Sequence, residues 1–214
     1  MKSVALAFAT TLLTSTAVWA DSSALKQLTL AQDVFAYGVE MQDPFAVMTA
    51  AKMTAAIHVT DVARDTQTRP GESVAGEGGD SDDLIMDAAE MFAIAAEFAG
   101  GDDHLIGLIE DAQAEGSRGR LGGASRTLNR LQSGYVDMVK LEFEGGTLAE
   151  LAILGADGAN LDLKVTDERG NTICNEQGLS DKLYCAWTPD SNGVYFAEVE
   201  NVSSRRNSYY VLTN

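Results

Sequence analysis

Cysteine and histidine are scarce in this chain: two of its 214 residues are cysteine and two are histidine. A nucleophilic enzyme needs a base such as histidine beside its serine or cysteine. His58 and His104 lie in predicted helices, and neither stands in a Gly-x-Ser-x-Gly or similar setting. Carboxylates are plentiful, but their abundance selects no pair for acid/base chemistry. We therefore predict no catalytic residues and a protein that is not an enzyme.

Basic residues are also few, since 15 Lys and Arg stand against 32 Asp and Glu, for a net charge of −17. An acidic surface repels nucleic-acid phosphates and anionic lipid heads, and it favours cations and basic partners. The glycine-rich stretch 116–123 looks like a phosphate loop, but it lacks the Gly-Lys-Ser/Thr ending of that motif. We predict no nucleic-acid partner, and we interpret this stretch as a linker, with a salt-bridged contact to the acidic helical region as the alternative.

Long apolar runs are confined to the amino end. Lys2 precedes an apolar stretch, and the small residues Val18 and Ala20 occupy the positions that a signal peptidase reads. Threonines and a serine interrupt the run, which falls short of the ~20 apolar residues of a membrane span. We predict a cleavable signal peptide at 1–20, a mature chain from Asp21, a periplasmic or secreted location, and no transmembrane anchor after cleavage.

The two cysteines, Cys174 and Cys185, are close in sequence. An exported chain meets an oxidising compartment, so a disulfide is the expected state, and a metal-binding pair is the alternative. The intervening segment Asn175–Tyr184 is polar and rich in turn residues. We therefore expect two neighbouring strands that return alongside each other and place the cysteines within disulfide reach.

Residues 21–115 have helical periodicity and form a predicted helical domain. Asp43 and Pro44 predict the cap and first residue of a second helix that continues to Val62, and a short join to the first helix indicates a hairpin. A third helix is predicted from Asp82 to Gly100, and a fourth follows. Between the hairpins, residues 65–81 are polar and glycine-rich, which predicts a mobile loop. The first helix presents one apolar face: Leu25, Leu28, Ala31, Phe35 and Val39.

The rest of the chain changes to short β-type runs separated by Gly, Asn and Asp turns. This pattern predicts an antiparallel sandwich and, with the helices, an α+β fold. The predicted strands are 126–131, 135–143, 149–154, 161–166, 172–174, 183–187, 194–199 and 209–213.

Three stretches in the β region, 155–174, 185–201 and 207–214, carry spaced motifs. They are Asp162, Leu163, Val165, Asp167, Gly170, Asn171, Trp187, Pro189, Gly193, Tyr195, Asn201, Asn207 and Tyr209. In this order they resemble the bacterial pre-peptidase C-terminal (PPC) domain over residues 118–214. The resemblance implies a jelly-roll-like β-sandwich on an exported bacterial protein.

Relatives of that family often carry an acidic cluster before the first motif strand, whereas this chain has one acid there, Asp157. We predict no cofactor, with calcium as the alternative and Asp157, Asn160 and Asp162 as its candidate ligands. The predicted function is an exported, non-catalytic protein whose sandwich, alone or with the helices, binds a protein or glycan partner in the cell envelope. The alternatives are a hydrolase with a carboxylate-based site between the two domains, and an assembly protein whose helices bind the partner.

Overall fold

The structure is a computed structural model that describes residues 23–73, 76, 78–79, 86–116, 121–156 and 160–214. The predicted signal peptide, its cleavage site and Asp157 lie outside the described residues. The helices are α1 (Ala24–Met41), α2 (Pro44–Ala55), α3 (Ala88–Phe98) and α4 (Asp103–Gly116). The strands are β1 (Ile57–Asp61), β2 (Thr66–Pro70), β3 (Leu121–Leu131), β4 (Tyr135–Phe143), β5 (Ala149–Gly155), β6 (Leu161–Asp167), β7 (Thr172–Glu176), β8 (Lys182–Trp187), β9 (Gly193–Asn201) and β10 (Asn207–Thr213).

The strands form two five-stranded sheets. Sheet A has the order β1-β3-β10-β5-β8, and sheet B has the order β2-β4-β9-β6-β7. Strands β3, β5, β8 and β10 lie in sheet A and strands β4, β6, β7 and β9 lie in sheet B, as in a jelly roll, with β1 and β2 added at one edge of each sheet. Among the described strands, β1 and β3 form a parallel pair and the other pairs are antiparallel. The predicted α+β class with a β-sandwich is confirmed.

Strand β5 shows why the molecule has three layers. All seven of its residues are buried, because one face points at sheet B and the other is covered by helices. Leu151 and Ile153 join the core between the sheets. Ala152 and Leu154 instead pack with Leu25 of α1 on the other face. The helices therefore cover sheet A, and α2, α3 and α4 form a second apolar core with Phe35 of α1 behind it.

Aspartates begin three of the helices as the sequence indicates. Asp43 accepts backbone N–H bonds at the start of α2, with Pro44 as its first residue. Asp102 caps α4 in the same way. The third helix differs from the prediction of a start at Asp82, because it begins at Ala88 and is capped by Asp87. Residues 80–85 are outside the described residues. In the described residues, no helix is long and apolar enough to cross a membrane.

The segment 57–70 corrects two predictions. The second helix ends at Ala55 and not at Val62, and residues 66–70 of the predicted loop form strand β2. Strands β1 and β2 contain β-branched residues at alternating positions, which favours strands. The second helix was predicted too long because apolar residues of β1 happen to continue the helical spacing of α2. Each sheet thus takes one strand from the region predicted to be helical. The division into domains at residues 115 and 118 stays a prediction.

Candidate binding site at one end of the sandwich

The sequence motifs separate into two groups along the sandwich. Strands β6 and β9 run antiparallel, so that Asp167 lies opposite Tyr195 at one end and Leu161 lies opposite Asn201 at the other. The first end carries Asp167, Gly170, Asn171, Trp187, Pro189, Gly193 and Tyr195. The second end carries Asn201, Asn207 and Tyr209. The first end contains a cleft.

The cleft at the first end has a volume of about 540 Å³, within the range of small-ligand sites. Its lining includes Trp187 and Tyr195, whose ring centroids are 5.2 Å apart. Phe143 contacts both rings, at 5.0 Å from Trp187 and 5.9 Å from Tyr195. Tyr195 is buried and Trp187 is half-buried, so Trp187 belongs to both the core and the cleft. The two turns that follow β6 and β8 form the walls.

The first wall is the turn between β6 and β7. Asp167 Oδ1 accepts the backbone N–H groups of Arg169 and Asn171, at 2.9 and 2.8 Å, and Oδ2 accepts Asn171 Nδ2 at 2.8 Å. Gly170 has φ of 81°, a backbone conformation that glycine adopts without strain. The hydrogen bonds, first that from the Asn171 side chain, lower the pKa of Asp167. The motif Asp-x-x-Gly-Asn therefore fixes the shape of this wall and keeps a negative charge there.

The second wall, residues 188–193, is held by the turn between β4 and β5. Gly145 donates its N–H to Asn192 Oδ1 at 2.9 Å, and Gly146 donates to the Pro189 carbonyl at 2.7 Å. A side chain at Gly145 would begin 2.3 Å from the Cα atom of Ser191, so the two turns touch only because this residue is glycine. Both walls are thus fixed by internal contacts.

The predicted disulfide between Cys174 and Cys185 is confirmed, with 6.1 Å between the Cα atoms. The expected pairing of its strands is wrong: β7 is the edge of sheet B and β8 is the edge of sheet A. The segment 177–181 crosses between the sheets, so the bond joins two facing edges. Thr172 and Trp187 both line the cleft, and each lies two residues along its strand from a cysteine. The disulfide therefore connects the first wall of the cleft to its floor.

Comparison with known proteins finds no matching family model and no matching curated protein. Among solved structures, the PPC domain of a Bacillus anthracis collagenase is 12% identical, covering 41% of this chain and 88% of that one, with a TM-score of 0.35. PliG of Aeromonas hydrophila, a periplasmic inhibitor of g-type lysozyme, is 12% identical, covering 42% and 84%, with a TM-score of 0.30. CBM22-1-GH10 modules of a Clostridium thermocellum xylanase are 10% identical, covering 42% and 21%, with a TM-score of 0.27.

The predicted resemblance to a PPC domain is confirmed. The strand order of the two sheets defines the PPC-like sandwich in this chain.

The motif residues at the second end of the PPC-like sandwich serve the fold. Asn201 Nδ2 donates to the carbonyls of Leu131 and Arg205, at 2.9 and 2.8 Å, and its Oδ1 accepts the Ser203 N–H. These bonds hold the loop between β9 and β10. Asn207 is buried, and its Oδ1 accepts the N–H of Ala156 at 3.3 Å.

Tyr209 anchors a polar group inside the sandwich core. Its hydroxyl donates to Asp137 Oδ2 at 2.7 Å and accepts Asn129 Nδ2 at 3.1 Å. Thr68 of β2 donates to the other oxygen of Asp137. Burial, followed by the charge of Asp137, raises the pKa of Tyr209 well above its ordinary value. This network ties the edge strand β2 to the core, and sequence reasoning missed it because Thr68 was assigned to a loop.

The candidate calcium ligands do not form a site in the described residues. Asp162 points to the outer face of sheet B, where its Oδ1 accepts the Gly178 N–H at 3.3 Å. Asn160 precedes β6, and Asp157 is not described. Within the described ranges there is no group of three or more His, Cys, Asp and Glu side chains that could hold a metal. The calcium alternative stays a prediction.

A second cleft, of about 330 Å³, lies where α3 meets β1 and bears on the hydrolase alternative. Its described lining includes His58, Arg126 and one carboxylate, Asp87. Asp87 Oδ1 caps α3 through two backbone N–H groups. Arg126 Nε donates to Asp61 Oδ1 at 2.6 Å, and this bond lowers the pKa of Asp61. The charged groups near this cleft are therefore engaged in holding elements together.

Proposed function

We propose that this chain is an exported, non-catalytic binding protein, and that the cleft at the first end of the sandwich takes part of a protein or glycan partner in the cell envelope. One observation supports this above the others. The cleft has an aromatic floor and two polar walls, and the disulfide and the turn hydrogen bonds hold all of them in place. A site fixed before binding loses less conformational entropy when a ligand enters.

The lining fits recognition better than catalysis. It combines the half-buried Trp187 with hydroxyl and amide groups of Thr172, Thr188, Ser191 and Asn192. It contains no histidine or cysteine among the described residues. A few polar groups around an apolar surface are typical of sites that orient a ligand. The disulfide supports export, because such bonds persist in oxidising compartments.

The proposal is tested by blocking the cleft. The exposed Asp190 at its mouth is replaced by arginine, and the matched control is Asp111→Arg on α4, which makes the same charge change far along the chain. Immobilised protein is offered an extract of exported proteins and a panel of cell-envelope glycans. We expect one class of ligand to be retained by the wild type and the control, and lost with Asp190→Arg.

Retention that both variants leave unchanged would exclude the cleft as the binding site. Equal melting temperatures of the three proteins show that the variants are folded. The hydrolase alternative is checked with the same proteins: turnover abolished by a single carboxylate substitution would contradict a non-catalytic function.

A further inference from the structure

We propose that the group entering this cleft is the cationic side chain, lysine or arginine, of a partner protein. The inference rests on the proposed function and names the chemistry of the ligand. It combines three features of the same cavity: an aromatic floor, an excess of carboxylates at its mouth, and further apolar side chains in its lining.

The charge of the cleft is negative. Its lining carries Asp167, Glu168 and Asp190 against one cation, Arg169. The carboxylate oxygens of Asp167 accept hydrogen bonds within their own turn. Asp167 therefore contributes to the negative potential of the cleft and makes no direct contact with the ligand. Glu168 and Asp190 are exposed. Their carboxylates are therefore available for direct, charge-assisted hydrogen bonds to an ammonium or guanidinium group.

The floor suits the same ligand. Trp187 is half-buried, with Phe143 and Tyr195 packed against it at 5.0 and 5.2 Å between ring centroids. Tryptophan is the best aromatic partner for a cation, and the attraction grows when water is excluded. Ile173 and Val194 also line the cleft. The methylene stem of a lysine or arginine can pack on such apolar surface while its charged head remains beside the carboxylates.

The rest of the chain favours a basic protein over a glycan. With a net charge of −17, the molecule attracts basic proteins and speeds their approach at low ionic strength. An uncharged glycan gains nothing from this field, and an acidic glycan is repelled by it. A glycan ligand is therefore the alternative outcome of the test below.

Trp187 makes the test direct, because it is the only tryptophan after residue 20. In a chain that starts at Asp21, intrinsic tryptophan fluorescence reports the cleft floor alone. The probes are the peptide acetyl-Gly-Ser-Lys-Ser-Gly-amide and its analogues with arginine, norleucine or citrulline at the central position. We expect a saturable change with the lysine and arginine peptides, and affinities weaker by about tenfold with the uncharged analogues.

Two matched double variants locate the effect. Glu168→Gln with Asp190→Asn removes two charges at the cleft, and Glu110→Gln with Asp111→Asn removes two from the exposed surface of α4. We expect the first pair to weaken the affinity for the lysine peptide by about fivefold or more, and the second pair to weaken it by less than about twofold. Added salt should weaken it as well. Unchanged melting temperatures show that both variants are folded.

Three results would overturn the inference. They are equal binding of charged and uncharged peptides, equal weakening by both double variants, or a saturable fluorescence change with a neutral glycan and none with the peptides. The last result leaves the proposed function standing, because the cleft would still bind a ligand. The proposed function itself fails only if ligand retention does not respond to blocking the cleft.

Discussion

Gln32 is a polar side chain buried where α1 packs into the molecule. It is 2% exposed, and neither its Oε1 nor its Nε2 atom has a hydrogen-bond partner. Burying an amide without partners costs about 1–3 kcal/mol in mutational data. We expect Gln32→Met, which keeps the side-chain length, to raise the free energy of unfolding by about 1–2 kcal/mol. Urea denaturation measures it, and the exposed Gln113→Met serves as a neutral control.

Arg64 joins the segment between β1 and β2 to sheet A. Its guanidinium donates to the hydroxyls of Thr127, Ser125 and Thr213, at 2.6, 2.8 and 2.9 Å. Desolvation lowers its pKa to about 10. We expect Arg64→Met to lower the free energy of unfolding by about 1–3 kcal/mol, measured in urea. Arg64→Lys should not restore it, because an ammonium group cannot reach three acceptors in one plane. Full rescue by lysine would contradict this reading.

The ion pair of Asp61 and Arg126 should make the stability of the protein depend on pH. The hydrogen bond to Arg126 holds the pKa of Asp61 below its usual range. A carboxyl with a lowered folded pKa adds stability that is present above its unfolded pKa and lost as pH falls through the folded pKa. Asp61→Asn should therefore lower the melting temperature near pH 6, and lower it less near pH 2. An equal effect at both pH values would exclude the ion pair as the cause.

At the scale of elements, the sequence predicts the later strands well because they alternate buried and exposed residues between strong turns. Strand β4 has the predicted bounds, and β6 and β9 differ by one or two residues at an end. Strands β1 and β2 escaped prediction since each is five residues long and pairs with strands far along the chain. Local periodicity contains no signal for such pairing, so it could not show that residues 57–70 complete both sheets.

The candidate site was predictable in part. The motif spacing identifies Trp187, Pro189 and the turn at Gly170, and the compartment predicts the disulfide. Sequence could not show that these residues meet around one cleft, because that depends on how β7 and β8 are divided between sheets. Phe143 was visible only as the end of a predicted strand, and its packing on Trp187 comes from the fold.

The link between β7 and β8 gives a prediction at this scale. Replacing both cysteines, Cys174→Ser with Cys185→Ser, opens a loop with a sequence separation of 11. In the chain-entropy model, such a bond stabilises by roughly 3 kcal/mol, so we expect a loss of that order in denaturant. Because the bond joins wall and floor, the fluorescence of Trp187 should change as well. Reductant should reproduce both effects in the wild type and leave the variant unaffected, and a response of the variant would point to another cause.

The whole molecule is a stack of helices, sheet A and sheet B, and this arrangement affects how stable the sandwich, residues 118–214, is by itself. Such a fragment keeps β3 to β10 but lacks β1, β2 and the helices that cover the outer face of sheet A. Leu154 and Leu212, both fully buried in the whole chain, would then face water. We expect the fragment to fold with a lower free energy of unfolding than the whole chain, and to bind an apolar dye on its exposed sheet.

Substitution at the uncovered face distinguishes lost cover from a general loss of structure. In the whole chain, Leu212→Thr places a hydroxyl between sheet A and the helices, and we expect it to lower the free energy of unfolding by about 1–3 kcal/mol. In the fragment, residue 212 faces water, and threonine suits an exposed strand position. Leu212→Thr should therefore cost the fragment little stability and reduce its binding of the dye. Val211→Thr is the control. Val211 faces the core between the sheets, so this substitution should destabilise both the whole chain and the fragment. If Leu212→Thr destabilises the fragment as much as the whole chain, the helices do not cover this face of sheet A in solution.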